Sequence, residues 1–326
     1  MPVLSHKPLH VVYATDQFYL FPTLVAAGSA IAWASRRLDI CIDILDCGVP
    51  DEEWDRFASK LRKELGNDFG LVRHRINMHR YDDYQSWHGS KGLYARLELP
   101  NILTDVEWCV YADGDTLFTD DPLKLLPLFD DKYALLGHED IFDEKQMLWH
   151  KTHDLPFECK ERVCSGFLAM NLNWFRDNDG VARLFKFIVD YPDVIFPDQD
   201  ALNYVCLGKI GLLPDGWGKF SMTASPNCDK GCLHYVSLRP WEVMNMGWLS
   251  MTALTTIWFE SIRKNLGIHP WSCPSLGFWR YHFCVVKTYF SYKVIRFLDG
   301  MPWLRGKYSL KLKRMWPKSA IKRFVG

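Results

Sequence analysis

The chain has 326 residues, of which 48% are hydrophobic, 24% charged and 15% aromatic; this excludes disordered and collagen-like chains, because so apolar a sequence offsets its ordering entropy by burying a core. Lys and Arg number 39, as do Asp and Glu, so the formal charge is zero, and no run of about 18 uncharged apolar residues is there to span a bilayer. The opening Met1-Pro2-Val3-Leu4-Ser5-His6-Lys7-Pro8 lacks a secretory h-region, and ten cysteines scattered without a C-x-x-C pair are read as reduced thiols in a cytoplasmic protein.

Residues 9–14 are β-branched and aromatic and break at Thr15-Asp16, the pattern of a first strand feeding a loop. An Ala-rich helix is predicted over 23–35, a second strand over 40–45, and an amphipathic helix with an acidic first turn over 51–65. A third strand covers 70–76, residues 94–103 are predicted helical up to the region of Pro100, and a short buried strand covers 107–112. Beyond these, strands are predicted at 134–137 and 166–171 and helices at 181–189 and 199–207. Alternation of this kind implies an α/β fold, a mostly parallel sheet with helices on both faces. Ligands of such a sheet bind at the carboxyl ends of its strands, where Asp16 and Asp113 fall. The expected division is a catalytic domain over 1–245 and a helical, basic and aromatic appendage over 246–326.

The sharpest feature is Val110-Tyr111-Ala112-Asp113-Gly114-Asp115-Thr116. Two carboxylates one residue apart at a strand end point to the same side and suit one hard divalent cation bridging to phosphates. The same residues also fit a solvated Asp-Gly turn, or a phosphohydrolase of the haloacid dehalogenase type, in which Thr116 is misplaced by one position. A second cluster is Phe196-Pro197-Asp198-Gln199-Asp200-Ala201-Leu202-Asn203. Here Asp198 reads as an N-cap, Asp200 and Asn203 share a helical face, and the Gln199 amide suits sugar hydroxyls. A third segment offers His234, whose imidazole suits Mn²⁺ better than Mg²⁺, and Arg239 as a phosphate fork.

Taken in order, Tyr-Ala-Thr-Asp at 13–16, Tyr-Ala-Arg-Leu at 94–97, Asp-Gly-Asp at 113–115, Ser-Gly-Phe-Leu-Ala-Met-Asn-Leu at 165–172, Asp-Gln-Asp-Ala-Leu-Asn at 198–203 and His…Arg-Pro-Trp at 234–241 resemble glycosyltransferase family 8. These are retaining galactosyl- and glucosyltransferases that include bacterial lipooligosaccharide enzymes. The resemblance implies a type A nucleotide-binding fold, a UDP-sugar donor, a glycan or lipid-linked acceptor and Mn²⁺, with Mg²⁺ as the substitute. It implies that Ala14 and Asp16 contact uridine and that Arg96 approaches the donor sugar and diphosphate. By the same resemblance Asp113, Asp115 and His234 hold the metal, and Arg239 stands where a diphosphate-binding lysine is usual. Asp198 and Gln199 correspond to the pair beside the anomeric carbon, and Asp140 to an acid facing donor or acceptor; retention could pass through a covalent intermediate on Asp200 or Gln199 or through same-face substitution. An inactive sugar-nucleotide-binding protein has the same motifs.

Residues 280–326 carry 12 of the Lys and Arg and one acid, Asp299, interleaved with aromatics from Tyr281 to Phe324. Cations and interfacial aromatics in that mixture predict peripheral attachment to an anionic membrane surface on its inner face. No nucleic-acid partner is expected, because the remainder of the chain is acidic and holds no recognised module.

Overall fold

The computed structural model describes residues 7–87, 89–140, 144–153, 155, 162–221, 223–224, 230–236, 239–241 and 253–269. Strand β1 (Leu9–Thr15) feeds helix α1 (Leu20–Trp33), and β2 (Ile40–Asp46), α2 (Asp51–Leu65) and β3 (Gly70–Arg75) follow. β1 pairs in parallel with β2, and β2 with β3. All seven residues of β2 are buried, as the interior strand of a sheet covered on both faces requires. Helix α2 buries Phe57, Leu61 and Leu65, one residue per turn, and opens with Asp51, Glu52 and Glu53, where the helix dipole favours anions.

A 3-10 helix at Gly92–Glu98 leads into the single turn α3 (Leu99–Ile102), then β4 (Trp108–Ala112), β5 (Thr116–Phe118), β6 (Leu135–Glu139), α4 (Glu144–Thr152) and β7 (Val163–Asn171). Next come α5 (Leu172–Asp177), α6 (Gly180–Asp190), α7 (Pro197–Val205), β8 (Ile210–Leu212), β9 (Trp217–Phe220), β10 (Cys232–His234) and α8 (Ala253–Leu266). The main sheet runs in the order β3-β2-β1-β4-β7-β6-β8, and a second is ordered β5-β10-β9. β4 is parallel to β1 and β8 to β6, whereas β7 is antiparallel to both β4 and β6. The large sheet is therefore mostly parallel with one reversed strand. Its core joins Val12, Leu45, Tyr111 and Met170 from the strands to Leu184, Phe187 and Leu202 from the helices.

Three local expectations change. The helix predicted over 94–103 is split, because Pro100 lacks an amide and sits in the first turn of α3, where that loss is harmless. β7 begins three residues before Gly166, which sits inside a strand buried along all nine residues. Asp198 is not an N-cap: Phe196 takes that position, Pro197 starts α7, and no side chain caps it.

The chain divides into two units, Met1–Lys219 with Lys230–His234, and Phe220–Asp229 with Tyr235–Gly326. In the second, α8 buries Trp258, Phe259, Ile262 and Leu266, and Trp258 lies 5.8 Å from Trp241 between ring centroids. The basic segment 280–326 lies outside the described residues. Among the described residues, no helix is long and apolar enough to cross a membrane, and Cys41, Cys47, Cys109, Cys164, Cys206 and Cys232 are free and buried.

Candidate active site

β4 ends at Ala112, and Asp113-Gly114-Asp115 carries the chain from the main sheet into β5 of the second one. The turn is pinned at both ends: Asp113 N–H donates to Gly166 O at 2.8 Å, and the Thr116 hydroxyl donates to Asp113 O at 2.8 Å. β10 pairs antiparallel with β5 and sets His234 opposite Thr116. Ligand atoms of Asp113, Asp115 and His234 thereby lie within 4.8 Å of one another. His234 Nε2 is 3.2 Å from Asp115 Oδ1 and 3.9 Å from Asp113 Oδ2.

Two glycines make the space. A Cβ on Gly166 would stand 2.7 Å from both Asp113 Oδ2 and His234 Nε2. A Cβ on Gly114 would lie 3.0 Å from the Tyr19 ring and collide with the Thr23 hydroxyl. The Tyr19 hydroxyl donates to Asp115 Oδ2 at 3.3 Å, tying the turn to the segment that precedes α1.

Arg96 forms the positive wall. Its guanidinium donates to Asp113 Oδ1 at 2.7 Å and to Ser165 O at 2.8 Å, reaches Asp198 at 3.2 Å, and lies 4.3 Å above the Tyr111 ring. The Tyr111 hydroxyl donates to the same Asp113 oxygen at 2.8 Å. Burial opposes the Arg96 charge, but Asp113 and the groups around it outweigh burial and raise its pKa. Burial raises the Asp113 pKa, against the pull of Arg96. For His234, burial works to lower the pKa, yet the adjacent Asp115 carboxylate leaves it well above the usual imidazole range.

Next to Arg96, the first turn of α7 presents Asp198, Gln199 and Asp200, all buried. Gln199 Oε1 accepts from Ser165 N–H at 2.9 Å and its Nε2 donates to Asp140 Oδ2 at 2.9 Å. Asn203 clamps α7 to β7, accepting from Val163 N–H at 2.8 Å and donating to Val163 O at 2.9 Å. Ser165 thus joins the two groups: its carbonyl faces Arg96 and its amide faces Gln199.

Ala14 and Asp16 sit at the carboxyl end of β1. Asp16 Oδ1 accepts from Phe18 N–H at 2.9 Å and from Tyr19 N–H at 3.0 Å, while Ser90 Oγ donates to Oδ2 at 3.4 Å. The first unit thus holds every sequence-predicted site residue except Arg239, which belongs to the second.

Sequence reasoning missed Tyr111, Tyr19, Cys164 and Arg162. Tyr111 was legible, since it stands two residues before Asp113 in extended chain and therefore on the same side. Cys164 Sγ lies 3.8 Å from His234 Nδ1; nothing local marks it. Arg162, with both Asp140 and Asp200 as partners, carries no motif.

The donor set fits a divalent cation. Two carboxylates and an imidazole converge on one point, and Gly166 leaves room there that any side chain would fill.

The family model described as Glycosyl transferase family 8 matches residues 10–241. A Haemophilus influenzae protein with a provisional glycosyltransferase name is 31% identical over 126 residues, 38% of either chain. Glycosyltransferase GlyB of Streptococcus pneumoniae is 22% identical over 173 residues, 48% of this chain and 39% of that one. The match therefore spans less than two fifths of the length of these relatives. Among solved structures, galactosyltransferase LgtC in complex with donor and acceptor sugar analogs superposes with a TM-score of 0.62 at 23% identity, over 77% of this chain and 95% of that one. The fold is the type A glycosyltransferase fold, and the family match over residues 10–241 makes the chain a member of glycosyltransferase family 8.

Proposed function

We propose that the protein is a retaining hexosyltransferase that moves galactose or glucose from a UDP-sugar to a hydroxyl of a glycan or lipid-linked acceptor. The observation that carries this reading is the convergence of Asp113, Asp115 and His234 beside Arg96 and the Gln199–Asp140 pair. A bound Mn²⁺, or Mg²⁺ in its place, would supply positive charge against the diphosphate as UDP departs. Asp113 and Asp115 would hold it as carboxylates and His234 as a neutral imidazole. Arg96 keeps Asp113 aimed and adds positive potential at the same edge. Ala14 and Asp16 would line the uridine end, Asp198 and Gln199 the sugar end, and Asp140 would accept from a sugar hydroxyl. Arg239 would be the cation that binds the diphosphate. Asp113 Oδ1 already takes hydrogen bonds from Arg96 and Tyr111, the setting of a fixed ligand and not of a free phosphohydrolase nucleophile.

Residues 280–326 would hold the enzyme on the inner face of an anionic membrane, beside a lipid-linked acceptor, with residues 1–245 as the catalytic domain and 246–326 as the docking region.

The deciding experiment is hydrolysis of UDP-galactose and UDP-glucose with Mn²⁺, with Mg²⁺ and with chelator, for the natural protein and for Asp115→Asn. Metal-dependent release of UDP that falls by about 100-fold or more in Asp115→Asn is expected, because a charged ligand is lost where charge develops. Binding of UDP without any turnover identifies an inactive sugar-nucleotide-binding protein, and preference for GDP- or CMP-sugars overturns the donor assignment.

A further inference from the structure

Asp140 and Asp200, two carboxylates on different elements, share one guanidinium. Arg162, whose side chain has 0% exposure, donates from Nε to Asp140 Oδ2 at 2.8 Å and from Nη1 to Asp200 Oδ1. His150 Nε2 lies 3.2 Å from that same Asp200 oxygen, and Phe196 N–H donates to the other one at 3.3 Å. Asp200 is wholly buried and held on both oxygens; it serves as the anchor of the first turn of α7.

Asp140 Oδ2 accepts from Gln199 Nε2 as well as from Arg162. On its other side, Gln199 accepts from Ser165 N–H. A peptide N–H only donates and a carboxylate only accepts, so these two partners impose a single orientation on the Gln199 amide. The arrangement needs a carboxylate at 140 fixed in place, and a charge-assisted bond from a buried arginine fixes it.

We propose that Arg162 is a positioning residue for the donor sugar. Through Asp140 it sets the direction of the Gln199 amide, and through Asp200 it fixes the turn that carries Asp198 and Gln199. Being wholly buried, it touches no substrate itself. The proposal rests on the glycosyl-transfer reading above.

The test compares the full-length natural protein with Arg162→Lys, which keeps the charge but replaces the rigid two-nitrogen fork that reaches Asp140 and Asp200 with a single point charge on a flexible stem. The readouts are the Kd for UDP with Mn²⁺, kcat and KM for UDP-sugar hydrolysis, the thermal midpoint, and the side-chain amide NMR signal of Gln199 without donor. The expected result is a UDP Kd within about three-fold of the natural one with kcat lowered about 10- to 100-fold, since a misplaced sugar contact acts on turnover more than on nucleotide affinity. The Gln199 signal shifts, and Arg162→Gln shows a larger loss of kcat. Natural turnover in Arg162→Lys overturns the proposal. A parallel fall of kcat, UDP affinity and thermal midpoint also overturns it, because the arginine then only supports the fold. If Arg162→Gln fails to fold, the lysine variant alone decides. A natural protein that hydrolyses no UDP-sugar defeats the glycosyl-transfer reading, yet the Gln199 signal still speaks on Arg162, and an unmoved signal in Arg162→Lys counts against it.

Discussion

Gly166 and His234 meet so closely that no side chain fits between them: a Cβ at 166 would stand 2.7 Å from His234 Nε2. The same virtual atom would be 2.7 Å from Asp113 Oδ2. Backbone from the reversed strand β7 therefore forms the floor under two of the three candidate metal ligands, and packing there sets the imidazole's position.

Gly166→Ala is expected to weaken Mn²⁺ affinity by about 10- to 100-fold, the range seen when support behind metal ligands is disturbed. The far-UV circular dichroism spectrum should hardly change, because the strand conformation suits alanine. Titration calorimetry with Mn²⁺ measures this directly. Natural affinity in the alanine variant would remove Asp113 and His234 from the metal site.

Arg96→Met leaves Asp113 and Asp198 without their shared cation. Removing one partner of a buried ion pair costs about 3–5 kcal/mol. Asp113 keeps 28% side-chain exposure, so water screens part of the loss, and a reduction of about 2–3 kcal/mol is expected. Urea unfolding curves give the value, and Arg96→Lys should recover part of it. A change under about 1 kcal/mol would show that the guanidinium is not the counter-charge of this wall.

Asp43, paired with Val12 across β1 and β2, supplies an acid-sensitive contribution. Burial works to raise its pKa from 3.8, but hydrogen bonds with His10 and His74, both at 2.7 Å, bring it below that value. A carboxyl depressed on folding stabilises the protein above its unfolded pKa, and this is lost as pH falls through the folded value. The advantage of the natural protein over Asp43→Asn should therefore shrink as pH falls below about 4. Urea midpoints of both proteins between neutral and acid pH test this. A difference that stays constant through the acid range would refute the assignment.

Truncation after residue 279 should release the protein from anionic vesicles while donor hydrolysis continues. Each basic residue near such a surface contributes about 1 kcal/mol within a Debye length, and the segment carries 12 of them. Sedimentation with anionic vesicles at several salt concentrations measures the effect. Equal sedimentation of full-length and truncated protein defeats the membrane role, and loss of hydrolysis on truncation shows that the segment supports the catalytic unit.

The sequence alone determined the parts governed by local periodicity. The 51–65 helix follows from its one-face apolar spacing and acidic first turn, and the strand before Asp113 from its apolar run. The paired carboxylates of Asp113 and Asp115 were readable without a fold, but the extended backbone expected between them is a turn, closed by the Thr116 N–H on Asp113 O at 3.1 Å. Residue chemistry made His234 and Gln199 candidates, and resemblance in motif order gave them their expected roles. Tertiary structure alone decided what those residues touch. Asp198 looks like a cap in isolation, but Pro197 takes the start of α7 and Arg96, from a distant segment, takes its carboxylate. The reversal of β7 puts Ser165 between Arg96 and Gln199, and strand direction is a property of pairing between remote segments. Arg162 and His150 stand in unremarkable stretches and become partners of Asp200 only after folding. Their roles were illegible because burial and counter-charge depend on which segments meet, and a linear pattern records only the neighbours along the chain.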